Sequence, residues 1–329
     1  MASATWGELL AQAILHALVA SLLVEALVRS WSVREPWQRM SLRLLALGHP
    51  LFVFPALVVL FPSRGGDPFR AHLALFAGRG WAEVSLLGVP LFDLWVGALA
   101  SLGVVLFLLD AWPILRRRRR PPLAAAPADP ADGARLAREL PFVAARLGLS
   151  PPPVLHLHRE GPVLFCTGVR RPAVVISSGT LALLDDEELR AALAHELAHV
   201  ARHDPLRSWV LMAGRALMCL NPAFQVLSRA VARDAEWLAD ERAAEACGDR
   251  VALASALLKL HRASTRPPPV PRTLPFATTL AEPLARVQSL DIEERCRRLL
   301  DPAPAPLPFG RVRLVLAGTS LAGLLFFVV

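Results

Sequence analysis

Four apolar stretches decide what this chain can become: residues 9–28, 42–61, 86–112 and 312–329 are each close to or beyond the roughly 20 helical residues that cross a bilayer core about 30 Å thick. In lipid a backbone must satisfy its own polar groups, so runs of this length predict spanning helices rather than strands or loops. His16 and Glu25 interrupt the first run, Pro50 and Pro55 are expected to kink the second, and Asp93 lies in the third. The hydrophobic share of 54% exceeds the roughly 45–50% of soluble domains, as expected if part of the chain lies in a lipid bilayer. A long and more polar segment separates the third run from the fourth. The expected organisation is a membrane region over residues 1–120 with three transmembrane helices, a linker over 121–134, a soluble domain over 135–310, and a fourth transmembrane helix over 311–329.

A formal net charge of +8 would suggest nucleic acid in a soluble protein, but Arg116 to Arg120 form one block directly after an apolar run, which is a topology signal. Arg29, Arg34, Arg39 and Arg43 after the first run, and Arg311 and Arg313 before the fourth, fall on the same side as that block if all four runs span. The positive-inside tendency makes that side the cytoplasm, so the chain is expected in the cell (inner) membrane as a multi-pass protein with its soluble domain inside. No nucleic-acid partner is expected. Lys259 is the only lysine, so single arginines are treated as background. Cys166, Cys219, Cys247 and Cys296 lie far apart without a CxxC pair, which argues against a disulfide framework or a cysteine metal site. The N-terminus has no basic leader or cleavage pattern, so the first run is expected to stay as a span.

Within the polar segment, Asp185 to Asp204 is strongly helical in pattern. Asp185 and Glu188 fit a capping box, Leu189, Leu193, Leu197 and Val200 supply apolar positions, and Pro205 is expected to end the run. His195 and His199 then stand four apart, on one face at about 3.6 residues per turn. Two neutral imidazoles on adjacent turns can hold one zinc ion, and Glu196, about 100° round from His195, can reach a water in the open position. A catalytic zinc also takes a third protein ligand. The run from Arg233 to Arg242 offers Glu236 and Asp240, again four apart; the longer Glu236 can reach a metal, and the shorter Asp240 suits a hydrogen bond to a ligating imidazole. Each stretch alone has a plainer reading, two surface or core histidines in one case and a solvated acidic face in the other. Together they favour the metal.

Residues 135–147 have helical content, and extended runs at 154–158, 163–166 and 173–177, with a connection from Gly168 to Pro172, predict a small antiparallel sheet. The edge of such a sheet can take an extended peptide. Helices are expected over 206–220, 223–247, 250–264 and 286–300, with a Pro-rich loop over 266–283 as a lid near the site. The fold class is therefore mainly α with a small antiparallel β-sheet, a multi-pass α-helical membrane protein carrying a zincin-like catalytic domain.

These motifs resemble the membrane-embedded gluzincin peptidases, especially the BlaR/MecR-type antirepressor peptidases. The residues that carry the resemblance are Gly168-Val-Arg-Arg-Pro172, Ser178-Gly179, Glu187-Glu-Leu189, the box His195-Glu-Leu-Ala-His199 with Arg202-His-Asp204, Asn221-Pro222, and Glu236 with Asp240. It implies a catalytic domain between a third and a fourth span, Zn2+ held by His195, His199 and Glu236, Glu196 as general base, and a protein or peptide substrate cut in regulatory or signalling proteolysis. The HtpX and CAAX prenyl protease type, with similar zinc residues and additional spans, is the second family reading and implies membrane quality control. Sensing members carry an extracellular ligand-binding domain after the last span, whereas this sequence ends at Val329, so antibiotic sensing is not expected of it. Control through the spans or through a regulatory membrane partner is expected instead. His203 is a candidate transition-state stabiliser, against the plainer reading of a surface histidine at a helix end. A reading of another class is a catalytically inactive membrane scaffold, and the presence of Glu196 beside all three ligand types speaks against it.

Overall fold

The computed structural model describes residues 6–73, 85–86, 88–117, 129–168, 171–265, 291–301 and 311–328. Its first half contains α1 (Trp6–Ser30), α2 (Pro36–Gly48), α3 (Phe54–Leu60), α4 (Asp67–His72), the strands β1 (Ser85–Leu86) and β2 (Val89–Pro90), α5 (Leu91–Arg117) and α6 (Pro130–Arg146). Then follow β3 (Val154–Leu157), β4 (Leu164–Thr167), β5 (Ala173–Ser177), α7 (Ser178–Leu183), α8 (Asp186–Ala201), α9 (Asp204–Leu217), α10 (Pro222–Cys247) and α11 (Arg250–Thr265). The helical residues 291–300 form α12, and α13 is Arg311–Phe326. The chain divides into two compact units, one of Met1–Arg120, Trp209–Ala235 and Ala305–Val329, the other of Pro121–Ser208 and Glu236–Pro304. Residues 209–235 thus group with the apolar helices, although they lie inside the segment read from sequence as one soluble domain.

In the first unit three stretches, Leu9–Ser30, Pro36–Leu60 and Asp93–Trp112, are long and apolar enough to cross a membrane. The second of these is α2 and α3 joined by a π-helical turn, His49–Val53, where the missing N–H groups of Pro50 and Pro55 interrupt the ordinary ladder. The fourth run forms α13, whose 16 residues make it shorter than the other three. Leu22, Phe52, Val59, Val105 and Leu108 are all more than half exposed, which suits side chains facing lipid. Charge nevertheless sits inside this unit. Arg43 binds Glu25 and Asp234, and Asp110 binds Arg215 and Arg229. Treating single arginines as background is therefore wrong for Arg43 and Arg215, because a charge in apolar surroundings persists only with its partner in place.

The second unit is organised round α8. Leu189, Leu193 and Leu197 are fully buried along it, and Ala191, Ala194 and Ala198 let neighbours approach on its other sides. Leu140 and Val143 of α6, Val174 and Ile176 of β5, and Leu253 and Ala256 of α11 complete one core. The expected capping box is present: Asp185 Oδ1 accepts from the Glu188 N–H at 2.9 Å, and Glu188 Oε2 from the Asp185 N–H at 3.0 Å. Lys259 and Ser255 of α11 bind the same Glu188 carboxylate, so the helix start is tied to its neighbour. α8 stops at Ala201, and His203 takes a left-handed backbone, φ +57°. Pro205 falls in the first turn of α9 instead of ending α8, since its fixed φ and absent N–H suit a helix start.

Two further details differ from the sequence reading. α6 begins at Pro130, with Asp129 before it, so part of the expected linker is helical; residues 121–128 lie outside the described residues. The sheet is mixed, in the order β3-β5-β4: β4 pairs antiparallel with β5 as expected, but β3 pairs with β5 in parallel. Alternation along a strand gives its faces and not its neighbours, which is why the parallel pair was not legible. Two glycines shape the approach to β5 and α7. Gly168 has φ +91° next to the β4–β5 connection, and a Cβ on Gly179 would stand 1.8 Å from the Glu160 carbonyl oxygen. Both belong to the motifs singled out above. Residues 169–170 and the expected lid, 266–283, lie outside the described residues.

Candidate metal centre

His195 and His199 project from one face of α8, with their rings 4.8 Å apart and nearly perpendicular. Their Nε2 atoms face each other at 3.2 Å, and the Glu236 carboxylate of α10 lies 3.5 Å from each. Among the described residues these three form the one group of three or more His, Cys, Asp or Glu side chains placed to hold a metal ion, with donor atoms within 4.8 Å of one another.

The opposite ring nitrogens are also engaged. His199 Nδ1 lies 3.0 Å from Asp204 Oδ2, and His195 Nδ1 lies 3.0 Å from Asp240 Oδ1, an ion-pair contact off the line of a straight hydrogen bond. A carboxylate at Nδ1 fixes the proton there and turns the Nε2 lone pair outward. Two such lone pairs and a carboxylate at 3.2–3.5 Å repel unless a cation lies among them. Two nitrogens about 2.0–2.1 Å from one tetrahedral ion would be roughly 3.3–3.4 Å apart, close to the separation found. The donor set therefore fits a divalent metal.

The electrostatics of the protein alone point the same way. Burial would lower the pKa of His195, but its contacts with Asp240 and Glu236 outweigh this and raise it to about 10. A metal ion entering here replaces a proton. Burial would raise the pKa of Glu236, yet the His195 imidazole and the Arg295 guanidinium hold it well below the usual carboxylate range. Glu196 is the opposite case, with burial pushing its carboxyl up. One of its oxygens, Oε2, accepts the Cys166 N–H of β4 at 3.1 Å.

Arg295 on α12 is the residue that the sequence reading missed. Its Nε and Nη2 donate to the two oxygens of Asp240, both at 2.7 Å, while Nη1 lies 3.2 Å from Glu236 and Nη2 lies 3.4 Å from His195 Nε2. The fork holds Asp240 in the orientation that meets His195. Nothing local separates Arg295 from Arg297 and Arg298 in a basic helix; only its distant partners do. Asp204 and Cys166 were also without an assigned role, although Asp204 stood in the quoted motif. His203 is exposed, and among the described residues it takes no part in the contacts of this cluster.

The BlaR1 peptidase M56 family matches residues 94–282, more than half of the chain. Curated relatives include a protein described as Protease HtpX homolog from Acidiphilium cryptum, 31% identical over 170 residues, covering 41% of this chain and 59% of the relative. Two more with that description, from Burkholderia multivorans and Paraburkholderia phytofirmans, are each 34% identical over 161 residues, covering 39% of this chain and 55% of theirs. The chain thus matches between one half and two thirds of the length of these relatives. No solved structure matches it. With apolar helices long enough to cross a membrane and a family match that runs through His195, His199 and Glu236, this chain belongs to the BlaR1 peptidase M56 family.

Proposed function

We propose that the chain is a membrane-bound zinc endopeptidase, with zinc held by His195, His199 and Glu236 and with Glu196 as general base. The observation that carries this is the convergence of two Nε2 lone pairs and a carboxylate, each imidazole backed by an aspartate. Zinc in that position supplies Lewis acidity that polarises a carbonyl and acidifies water towards a pKa of about 7. Glu196 sits beside it with one oxygen held by the Cys166 N–H, leaving the other to take a proton from water. As the water oxygen bonds to the carbonyl carbon and the C–N bond breaks, Glu196 passes that proton to the leaving amine.

β4 is an edge strand, and the Cys166 N–H points away from β5 towards Glu196. An extended segment pairing with this edge would bring its peptide bond to the base. The substrate class is accordingly an extended stretch of protein. Regulatory proteolysis is the preferred setting on the family match, and the HtpX homologs among the relatives favour membrane quality control as the second reading.

The test is turnover of a casein-like substrate by the purified full chain. Activity should disappear with a strong chelator and return with zinc. A chain that folds and binds zinc yet cuts no substrate would mark an inactive scaffold.

Orientation is read from arginine placement: Arg29 and Arg34 between the first two apolar stretches, then Arg116 to Arg120, then Arg311 and Arg313 share one side if α13 spans, whereas Arg39 and Arg43 lie within the second stretch and are not counted. The catalytic segment then faces the cytoplasm. A phosphatase reporter fused after Val329 should be active, because that end lies outside. An inactive phosphatase there, with an active cytoplasmic reporter at the same site, would reverse the topology.

A further inference from the structure

Helix α12 belongs to the unit that holds the metal donors and is packed into it. Leu299 is 2% exposed in the core built on α8, Cys296 packs against that core, and the Arg298 guanidinium lies 4.2 Å over the Trp237 ring. Arg295 stands one turn before Leu299, and its side chain is only 11% exposed. Its guanidinium has two donating edges. The edge of Nε and Nη2 is closed by Asp240, with both hydrogen bonds at 2.7 Å. The other edge, Nη1 with the second N–H of Nη2, faces the donor atoms themselves: Nη1 lies 3.2 Å from Glu236 Oε2, and Nη2 lies 3.4 Å from His195 Nε2.

Holding Asp240 needs only the first edge. Stability does not explain the second, because the attraction between buried charges is largely offset by the loss of their hydration. Its consequence is chemical. With Nδ1 protonated against Asp240, His195 Nε2 has a single lone pair, which goes either to a metal or to Arg295. Once a metal takes it, an N–H of Nη2 has lost that acceptor, and a buried donor left unmet is costly. Together with Nη1 it forms a planar fork beside the metal donors, the geometry that suits negatively charged oxygen. Such an oxygen arises in the proposed hydrolysis. As the water oxygen bonds to the carbonyl carbon and its proton passes to Glu196, the C=O π pair moves onto the carbonyl oxygen. His203, the candidate stabiliser from sequence, is exposed and takes no part in the contacts of the cluster among the described residues.

We infer that Arg295 is a catalytic residue, whose Nη1 and Nη2 edge donates hydrogen bonds to the oxyanion of the tetrahedral intermediate. When that intermediate collapses, the electron pair returns to re-form the C=O, the C–N bond breaks and Glu196 gives its proton to the leaving amine. Arg295 keeps its own protons throughout. The Asp240 fork and the packing of α12 hold the guanidinium in place beforehand, so little reorganisation is needed as the charge develops. The inference rests on the reading of this site as a zinc peptidase and adds the group that meets the transition state.

The experiment uses the full chain in detergent at saturating zinc, with folding followed by circular dichroism. It measures kcat and KM on a peptide, and by calorimetry the binding of a phosphinic peptide capped at both ends, whose tetrahedral phosphorus carries two oxygens like the intermediate. Arg295→Met should lower kcat by about 10² to 10³-fold, the effect of losing one oxyanion donor, with little change in KM. Affinity for the phosphinic peptide should fall in parallel with kcat/KM. Arg295→Lys keeps a counter-charge for Asp240 but cannot serve both edges, so it should fold and still lose more than about tenfold in kcat; it decides the matter if Arg295→Met does not fold. Wild-type kcat and phosphinic-peptide affinity in either folded, zinc-loaded variant overturns the inference. So does a loss confined to zinc affinity, which would leave Arg295 only the support of Asp240, or a rise in KM alone, which would mark a substrate contact. A wild-type chain that neither binds zinc nor cuts peptide overturns the peptidase reading itself.

Discussion

Glu196→Gln is expected to lower peptide turnover by about 10² to 10⁴-fold, the usual contribution of a positioned general base, while the protein keeps its zinc and its fold. The reasoning is that the substitution changes one property. Glutamine has the same shape, and its amide oxygen can still accept the Cys166 N–H that Glu196 Oε2 now accepts at 3.1 Å. It cannot take a proton from water at neutral pH. Glu196 is not among the three side chains that converge as metal donors, so stoichiometry should remain that of the wild type. Folding should not suffer either, since a neutral amide costs less to hold in partly buried surroundings than a carboxylate. Turnover on an extended peptide, zinc content and thermal midpoint, measured on one preparation, check all three. Activity within threefold of wild type would mean that another group takes the proton. Loss of zinc would mean that Glu196 helps to hold the metal.

What could be read from the sequence, and what could not, follows the range of each interaction. The start of α8 was legible because a capping box lies within four residues, and the pairing of His195 with His199 because one helical turn sets it. The spacing of Glu236 and Asp240, one turn apart, was legible for the same reason on α10. Their placement against α8 was not, since no periodicity says which helices meet. Arg295 marks the limit: it is 55 residues from Asp240 in sequence, and its double hydrogen bond exists only in the folded chain. The parallel pairing of β3 with β5 and the buried pairs of Arg43 and Arg215 were hidden in the same way. Apolar runs plainly announced the three helical stretches long enough to cross a membrane, because length and hydropathy are local; the charges within that unit gain meaning only from partners such as Asp234 and Asp110.

The second large effect separates two carboxylates that sequence alone could only rank. Glu236→Gln should weaken zinc binding more than about 100-fold, beyond the roughly 10 to 100-fold expected for Asp240→Asn. Glu236 offers its oxygens at 3.5 Å to both Nε2 atoms, so it stands where a shared metal would be, and a neutral amide is a poor ligand there. Asp240 meets the far side of the same ring, 3.0 Å from Nδ1, and can act on a metal only through His195. An asparagine in its place would keep the shape and could still accept from Arg295 or from the imidazole, but without the charge that raises the basicity of the ligand. The same substitution leaves the buried Arg295 guanidinium short of a counter-charge, so Asp240→Asn should also lose thermal stability in the metal-free protein, whereas Glu236, with 42% of its side chain exposed, should cost little there. The two variants thus differ in opposite senses, one losing metal and keeping its fold, the other keeping more metal and losing stability. A full zinc complement in Glu236→Gln beside a metal-free but stable Asp240→Asn would show that the two carboxylates have exchanged these roles.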